Sequence, residues 1–188
     1  MPEIIPAILP KSSEDLLKKI SELPPEINFF HLDILEDDIW APIVKGFEVH
    51  IMKDDPSGVV EKWIERGARR IIVHKVGEET VKLRDKVEIG VGFELDVPIE
   101  NVLAMASFVD FVHIMSIANI GAQGHPLDPR VFDRIKAVQE KFPNLPISVD
   151  GGITKENFQK LIDAGADRLA IGSHFMDVWN TLEKQPIK

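Results

Sequence analysis

The stretch LIDAGADRLAIGS, Leu161–Ser173, contains a helix-like segment, a Gly-Ala pair and a short apolar strand in direct succession. WIERGARRIIVH, Trp63–His74, repeats this order earlier in the chain. A glycine directly after a helical segment favours the left-handed conformation that ends a helix, so each stretch predicts a helix that leads at once into a strand. Repetition of this unit is typical of folds in which helices connect parallel strands.

Strand-like runs alternate with helix-like segments along the whole sequence. The eight predicted strands are Glu3–Leu9, Asn28–Leu35, Phe47–Met52, Arg70–Val76, Glu88–Glu94, Val109–Ile117, Pro146–Asp150 and Arg168–Ile171. Most are followed by apolar residues at helical spacing, but EDDIWAPIVKG after the second strand is too short for more than a turn or two. We therefore predict an α/β fold, a (β/α)8 TIM barrel, as a single domain over residues 1–188. That length requires trimmed connections, and a doubly wound open sheet is the alternative.

Composition and charge limit the classes to which the protein can belong. The chain is 44% hydrophobic and 28% charged, as in a globular domain, and has no apolar run long enough to span a membrane. The opening MPEIIPAILP is typical of a first strand rather than of a signal peptide. The absence of cysteine excludes disulfides and thiolate metal sites and favours a cytoplasmic protein. A net charge of −9 argues against nucleic-acid and membrane partners, and homo-oligomerisation stays open.

Polar side chains interrupt the apolar strands. FFHLDIL contains His31 and Asp33, FEVHIM contains His50, and the seventh strand ends at Asp150. Burying such groups without partners costs roughly 2–7 kcal/mol, so each needs a structural or a chemical reason. All four lie near strand C-termini, where barrel enzymes carry their catalytic groups. Two imidazoles and two carboxylates predict a divalent metal site for Zn, Fe, Mn or Co, with hydrogen-bonded core residues as the alternative.

Glycines after the last two strands predict a phosphate site. SVDGGIT contains Gly151 and Gly152, and AIGS contains Gly172 and Ser173. Glycine lets the backbone approach a ligand closely, and the loops after strands seven and eight are the usual phosphate site of these barrels. Backbone N–H groups at helix termini bind the anion there, so an acidic protein can still bind a phosphorylated small molecule.

These motifs resemble the ribulose-phosphate 3-epimerase family, and the resemblance extends over nearly the whole chain. IIPAILP is similar to the family's opening APSIL strand, HLDIL to HVDVMDG, FEVHIM to LDVHLM, and HIMSI to LMSV. SVDGGIT and AIGS are similar to its closing phosphate strands. The resemblance implies an isomerase that binds a divalent metal through the residues matched by His31, Asp33, His50 and Asp150.

The resemblance also implies a mechanism. The aspartates matched by Asp33 and Asp150 serve as acid and base, and the methionines matched by Met52 and Met115 pack beside the reaction centre. Inverting a carbon next to a ketone removes a proton on one face and returns one on the other, which requires two proton carriers. A metal on the substrate oxygens would stabilise the enediolate between these steps. We therefore expect a metal-dependent epimerase of a ketose phosphate, an enzyme of pentose phosphate metabolism.

The sequence departs from the family around the substrate. Ala7 replaces a serine, Leu35 a methionine and Glu94 an asparagine, and the family's NPGFGGQ lid corresponds to ANIGAQG, Ala118–Gly124. Two other functions stay open for this reason. One is a lyase or decarboxylase of the related phosphate-binding barrels, although their Asp-x-Lys-x-x-Asp pattern needs a lysine that HLDILEDD lacks. The other is a sugar-phosphate-binding barrel that has lost its lid and its catalysis.

His113 is a further departure. It shares a strand face with Met115, at a position where the family usually has an aliphatic residue. We predict a hydrogen-bonded core histidine there, with a residue that supports the metal ligands as the alternative. The sequence assigns no role to His74, His125 or His174.

Overall fold

Eight parallel strands form a closed barrel in the computed structural model, which describes residues 2–35, 38–53, 56, 58–117 and 124–183. The strands are β1 (Glu3–Ile8), β2 (Phe29–Ile34), β3 (Gly46–Ile51), β4 (Arg70–Val73), β5 (Glu88–Phe93), β6 (Phe111–Met115), β7 (Ile147–Asp150) and β8 (Arg168–Ile171). The helices are α1 (Ser13–Ser21), α2 (Val59–Glu65), α3 (Glu78–Lys82), α4 (Ile99–Ala106), α5 (Arg130–Lys141), α6 (Phe158–Asp163) and α7 (Phe175–Glu183). None of these helices is long and apolar enough to cross a membrane.

Closure of the sheet decides between the two predicted architectures. Every strand pairs in parallel with the next strand of the sequence, and β1 also pairs with β8, with Glu3 opposite Arg168 and Pro6 opposite Ile171. The (β/α)8 barrel is therefore confirmed, and the open sheet is wrong. The described residues between β2 and β3 contain no helix, which is consistent with an EDDIWAPIVKG segment predicted to be too short for more than a turn or two. Parallel pairing places the carboxyl ends of all eight strands at one rim of the barrel.

The two repeated stretches fold as predicted. Gly67 follows α2 and Gly165 follows α6, with φ of +91° and +110°. In the first stretch the N–H of Gly67 donates to the Ile64 carbonyl, and the next N–H along donates to the Trp63 carbonyl at 3.0 Å. The second stretch has the same pair of bonds. This is the Schellman ending, which satisfies the last helical carbonyls and turns the chain directly into β4 or β8.

Alternate strand residues point either outward to the helices or inward to the lumen of the barrel. One set packs outward against the helices and forms the continuous apolar core, which includes Leu32, Val49, Ile71, Val91, Val149 and Leu169, all fully buried. From the helices, Leu16 and Trp63 enter the same core. Burying each large aliphatic side chain contributes about 1.5–3 kcal/mol, so this layer is the main source of stability. The other set points into the lumen of the barrel.

Charged residues fill the N-terminal end of the lumen. Arg70 Nη2 contacts Glu3 Oε2 at 2.9 Å, and Arg168 Nη2 contacts Glu88 Oε1 at 2.7 Å. Arg70 Nε also lies 2.7 Å from Oε2 of Glu48, which is fully buried. We name these five residues the floor network. Both arginines have carboxylate partners, as buried charges require.

Strand β6 is shorter than predicted because the residues on either side of it have other partners. The Asp110 carboxylate accepts hydrogen bonds from Ile89 N at 2.9 Å and from Arg84 Nη2 at 2.7 Å. After the strand, Ser116 Oγ donates to the Asp150 carbonyl at 2.8 Å. Of the predicted lid only Gly124 is described; positions 118–123, and Glu36 and Asp37 after β2, lie outside the described residues.

Candidate active site

Five polar side chains from four strands meet in the lumen near its carboxyl-end rim. They are His31 and Asp33 of β2, His50 of β3, His113 of β6 and Asp150 of β7, and we name them the upper cluster. The three imidazoles are fully buried and the two carboxylates nearly so. Strand alternation places them together, because each lies on the lumen face of its strand while the neighbouring residues pack outward.

One ring nitrogen of each imidazole forms a hydrogen bond with a neighbouring side chain. The pairs are His31 Nδ1 with Glu48 Oε1 at 2.7 Å, His50 Nε2 with His74 Nε2 at 2.8 Å, and His113 Nδ1 with Ser148 Oγ at 3.0 Å. Such partners fix which nitrogen carries the proton and how the ring is oriented, as they do for metal-binding histidines. The sequence prediction missed all three partners. For Glu48 and Ser148 a signal existed, because each lies two residues before a predicted site residue and so shares its strand face.

The other ring nitrogens converge on the two carboxylates. His31 Nε2 lies 3.1 Å from Asp33 Oδ1, and His50 Nδ1 lies 3.3 Å from the same oxygen. Asp150 Oδ2 lies 3.9 Å from His50 Nδ1 and 3.8 Å from His113 Nε2. Neither His50 Nδ1 nor His113 Nε2 has a hydrogen-bond partner, although both atoms are buried. Beside two carboxylates, buried nitrogens without a partner are suited to a bound water or cation.

The donor set fits a divalent cation. One ligand atom each from His31, His50, His113 and Asp150 lie within 4.8 Å of one another. Metal–nitrogen bonds of about 2.1 Å allow ligand atoms up to roughly 4.2 Å apart, so only a small contraction is needed. Three of these residues belong to the predicted metal set. The fourth predicted ligand, Asp33, lies beside the group through its contacts with two of the imidazoles.

The two carboxylates have opposite acidities. Burial by itself would raise the pKa of Asp33, but the charge and hydrogen bond of His31 outweigh it and hold the pKa below its usual range. Burial and the neighbouring charge of Asp33 raise the pKa of Asp150 to about 6. Near neutral pH one carboxylate is therefore ionised while the other can hold a proton. Two acidic groups whose pKa values are pushed apart are suited to act as base and acid.

The pKa values of the three imidazoles are also shifted in opposite directions. Burial lowers the pKa of His50, and burial together with the charge of His31 lowers the pKa of His113 to about 3. Both rings are neutral and can offer a lone pair to a metal. Burial also opposes protonation of His31, but the charges of Asp33 and Glu48 raise its pKa. A proton on His31 thus balances the carboxylates, and a cation could replace it.

One pocket joins the upper cluster to the predicted phosphate loops. It is lined by Asp33 and Asp150 together with all six residues predicted to contact substrate, Met52, Met115, Gly151, Gly152, Gly172 and Ser173. His125 and His174 also line it, and the sequence assigned them no role. Ala7, the position that differs from the family's serine, lies in the same wall. Glu94 does not line this pocket and is exposed after β5.

Gly152 has a structural requirement in addition to its place in the pocket. Its φ is +64°, and a Cβ atom there would lie 2.3 Å from the backbone nitrogen of Leu127. Any side chain would therefore displace the segment before α5. The double glycine after β7 is needed for this close approach of two loops, whether or not a ligand binds.

The chain is similar in sequence to a known family and to several of its members. The model of the ribulose-phosphate 3 epimerase family matches residues 3–176. A ribulose-phosphate 3-epimerase of Chlamydia trachomatis is 34% identical over 142 residues, which cover 69% of this chain and 60% of that protein. A ribulose-phosphate 3-epimerase of Chlamydia muridarum is 29% identical over 185 residues, which cover 84% of this chain and 81% of that protein. The chain thus spans less than two thirds of the length of the first relative.

Solved structures share the architecture at much lower identity. The tryptophan synthase complex of the hyperthermophile Pyrococcus furiosus superposes with a TM-score of 0.69 at 12% identity, covering 96% of this chain and 90% of that one. A likeness at this identity shows the barrel fold alone, because unrelated chemistries share it.

Proposed function

The chain belongs to the ribulose-phosphate 3-epimerase family, and on that basis we propose that it interconverts the two epimers of a ketose phosphate. The relatives that match it are named as epimerases, enzymes of the isomerase class. The observation that carries the proposal is the pair Asp33 and Asp150, which line one pocket and have opposite pKa shifts. A pentose phosphate such as ribulose 5-phosphate is the expected substrate.

Asp33 and Asp150 carry the two proton transfers. Their strands, β2 and β7, are separated by β1 and β8 in the ring, so the carboxylates enter the pocket from different sides. Asp33, ionised, removes the proton from the carbon next to the ketone on one face of the substrate. Asp150, protonated, returns a proton on the opposite face, and the roles reverse for the other epimer. Positioned groups of this kind typically contribute about 10²–10⁴-fold to the rate.

A divalent metal would be held by His31, Asp33, His50 and Asp150, and Zn, Fe, Mn and Co are the candidates. When bound, the cation supplies positive charge that stabilises the enediolate formed after proton removal. Glu48 and His74 hold the two imidazoles in the orientation that this role requires. The buried, unpartnered Nδ1 of His50 supports the proposal.

The opposite end of the pocket would bind the phosphate group. Gly172 and Ser173 directly precede α7, and Gly151 and Gly152 directly follow β7. Their backbone N–H groups are suited to an anion without any lysine or arginine. Met52 and Met115 would pack against the carbon chain between the phosphate and the metal.

Two other functions are less well supported. A decarboxylase of the related barrels would need a lysine beside its aspartate, and the described residues that line the pocket include none. A binding protein without catalysis would not need two carboxylates with opposite pKa shifts. A cytoplasmic location, homo-oligomerisation and the absence of nucleic-acid and membrane partners stay predictions from the composition.

Hydrogen exchange tests the proposed activity. Protein reconstituted separately with Zn, Fe(II), Mn and Co is incubated with ribulose 5-phosphate and with a panel of other ketose phosphates in deuterated water, and products are followed by NMR. We expect conversion to the epimer with deuterium at the inverted carbon, and no conversion by the Asp33→Asn, Asp150→Asn double variant. Release of carbon dioxide in a parallel assay with a sugar phosphate that carries a β-keto acid would favour the decarboxylase, since a ketose phosphate has no carboxylate to lose. Tight binding without any exchange would favour the binding protein.

A further inference from the structure

The third imidazole of the upper cluster has no role in the proposed reaction, and its surroundings are unusual for a core residue. His113 lies in the middle of β6, fully buried, with Val112 and Ile114 on either side packed in the outer core. An aliphatic side chain would fill that space without introducing polar atoms. A histidine has two ring nitrogens, and only one of them is satisfied here.

Ser148 orients this ring. The two residues are opposite each other on neighbouring strands β6 and β7, and His113 Nδ1 lies 3.0 Å from Ser148 Oγ. When Nδ1–H donates to the serine hydroxyl, the lone pair is on Nε2. That nitrogen is buried and unpartnered and lies 3.8 Å from Asp150 Oδ2.

The rings of the other two histidines flank His113. Its ring centroid is 4.8 Å from that of His50 and 5.5 Å from that of His31. One ligand atom from each of these rings and one from Asp150 lie within 4.8 Å of one another. Rings packed this closely can present their free ring nitrogens to one shared cation.

We propose that His113 Nε2 is a ligand of the cation, which is therefore held by three imidazoles and the aspartates. This rests on the metal centre of the proposed function and extends its ligand set by one residue. Ser148 is the positioning residue of this ligand. A third neutral nitrogen shifts the preference of the site toward Zn, Co(II) and Fe(II) and away from Mn and Mg, which favour oxygen ligands.

Metal binding, measured without turnover, tests the assignment. Metal-free wild type, His113→Leu, His113→Gln and Ser148→Ala are titrated with Co(II), followed by visible absorption, and with Zn in competition with a chelator. His174→Leu is the matched control, since it removes an exposed imidazole outside the cluster. X-ray absorption of the Zn-loaded proteins counts the imidazole ligands. Circular dichroism and thermal unfolding without metal show which variants fold. If His113→Leu does not fold, His113→Gln takes its place.

We expect Ser148→Ala to weaken Zn binding about 10-fold and loss of His113 to weaken it by roughly 100-fold or more. The Co(II) spectrum should change, the imidazole count should fall from three to two, and Zn should lose more affinity than Mn. His174→Leu should leave all of these unchanged. Unchanged affinity and spectrum in folded His113 variants would overturn this inference and leave the proposed metal centre intact. Failure of the wild type to bind any metal would overturn both.

Discussion

The two ends of the barrel lumen both contain buried charge, but they are built differently. In the floor network each arginine contacts a carboxylate at 2.9 Å or less, and both also stack on aromatic rings, Arg70 on Phe29 and Arg168 on Phe111. In the upper cluster some contacts are longer, because Asp150 Oδ2 lies 3.9 Å from His50 Nδ1 and 3.8 Å from His113 Nε2. The floor is neutralised by the protein itself, whereas the upper end keeps donors and carboxylates that are suited to something the protein must bind.

Glu48 connects the two ends. One of its oxygens contacts Arg70 in the floor network and the other contacts His31 in the upper cluster. Burial opposes ionisation of Glu48, but the hydrogen bond and charge of His31, followed by the charge of Arg70, lower its pKa. The carboxylate in turn keeps the imidazole oriented with Nε2 toward Asp33. A charged structural layer thus supports the reactive one, and the two should respond differently to mutation.

Removing a charge from the floor should have the largest effect on stability. Arg70→Met keeps the length of the side chain but leaves Oε2 of the buried Glu48 carboxylate without its arginine partner. Such losses typically cost 3–5 kcal/mol. Urea denaturation of metal-free protein measures the free energy of unfolding, with Arg69→Met on the exposed neighbour as the control. A loss below about 1 kcal/mol would show that the floor is not structural.

Removing a charge from the upper cluster should instead raise the free energy of unfolding. The pKa of Asp150 rises from 3.8 to about 6 on folding, so its ionisation is penalised in the metal-free folded state. The penalty is absent below about pH 4 and complete above about pH 6, and two pKa units correspond to roughly 3 kcal/mol. We expect Asp150→Asn to gain stability over wild type by up to that amount as the pH rises from 4 to 7. A pH-independent difference in urea denaturation would contradict the assignment.

Blocking the phosphate end should affect binding more than turnover. Gly172→Val places a branched side chain where the backbone is expected to approach the phosphate. Loss of hydrogen bonds to a charged group costs about 1.5–3 kcal/mol, so KM should rise roughly 10- to 100-fold with a much smaller change in kcat. Gly77→Val is the control, because its Cβ would meet no atom and it lies outside this pocket. Unchanged inhibition by inorganic phosphate would count against the phosphate site.

An exposed ion pair should matter least. A hydrogen bond from Arg66 lowers the pKa of Asp38 to about 2, and Lys62 also contacts this carboxylate. Because the pKa is lowered on folding, the stabilisation is present above about pH 4 and is lost as the pH falls toward 2. The side chain is 40% exposed, so solvent screening limits the effect to roughly 0.2–1 kcal/mol. Urea denaturation of Asp38→Asn at pH 7 measures this contribution. A loss above 2 kcal/mol would show that the pair stabilises the fold as strongly as the floor network does.

The barrel was predictable because its outer face follows simple rules. Strand-like apolar runs located all eight strands within three residues at each end, and the glycines of the repeated stretches marked where helices end. The errors in β4 and β6 come from tertiary contacts. His74 follows β4, where its ring contacts His50, and Asp110 caps neighbouring backbone instead of extending β6. Neither contact can be read from the local pattern.

The lumen was only partly predictable. Histidine and aspartate in an apolar strand are conspicuous, and the structure brings the predicted site residues into one pocket and its adjoining cluster. Arg70, Glu88 and Arg168 resemble solvent-exposed ends of strands, and nothing local distinguishes a polar face directed at water from one enclosed by a barrel. His113 was predicted as a satisfied core residue, but its Nε2 has no partner. That outcome depends on the positions of three other strands.

The central claim is that Asp33 and Asp150 act on opposite faces of the substrate. Its most direct test is exchange of the substrate's α-proton with deuterated water, measured for each epimer with Asp33→Asn and with Asp150→Asn after equal metal content has been established. Epimerisation should fall by about 10²–10⁴-fold in both variants. Exchange should survive for one epimer in Asp150→Asn and for the other epimer in Asp33→Asn, because abstraction needs only one carboxylate. Equal loss of exchange for both epimers, or full epimerisation by either fully metallated variant, would contradict the account.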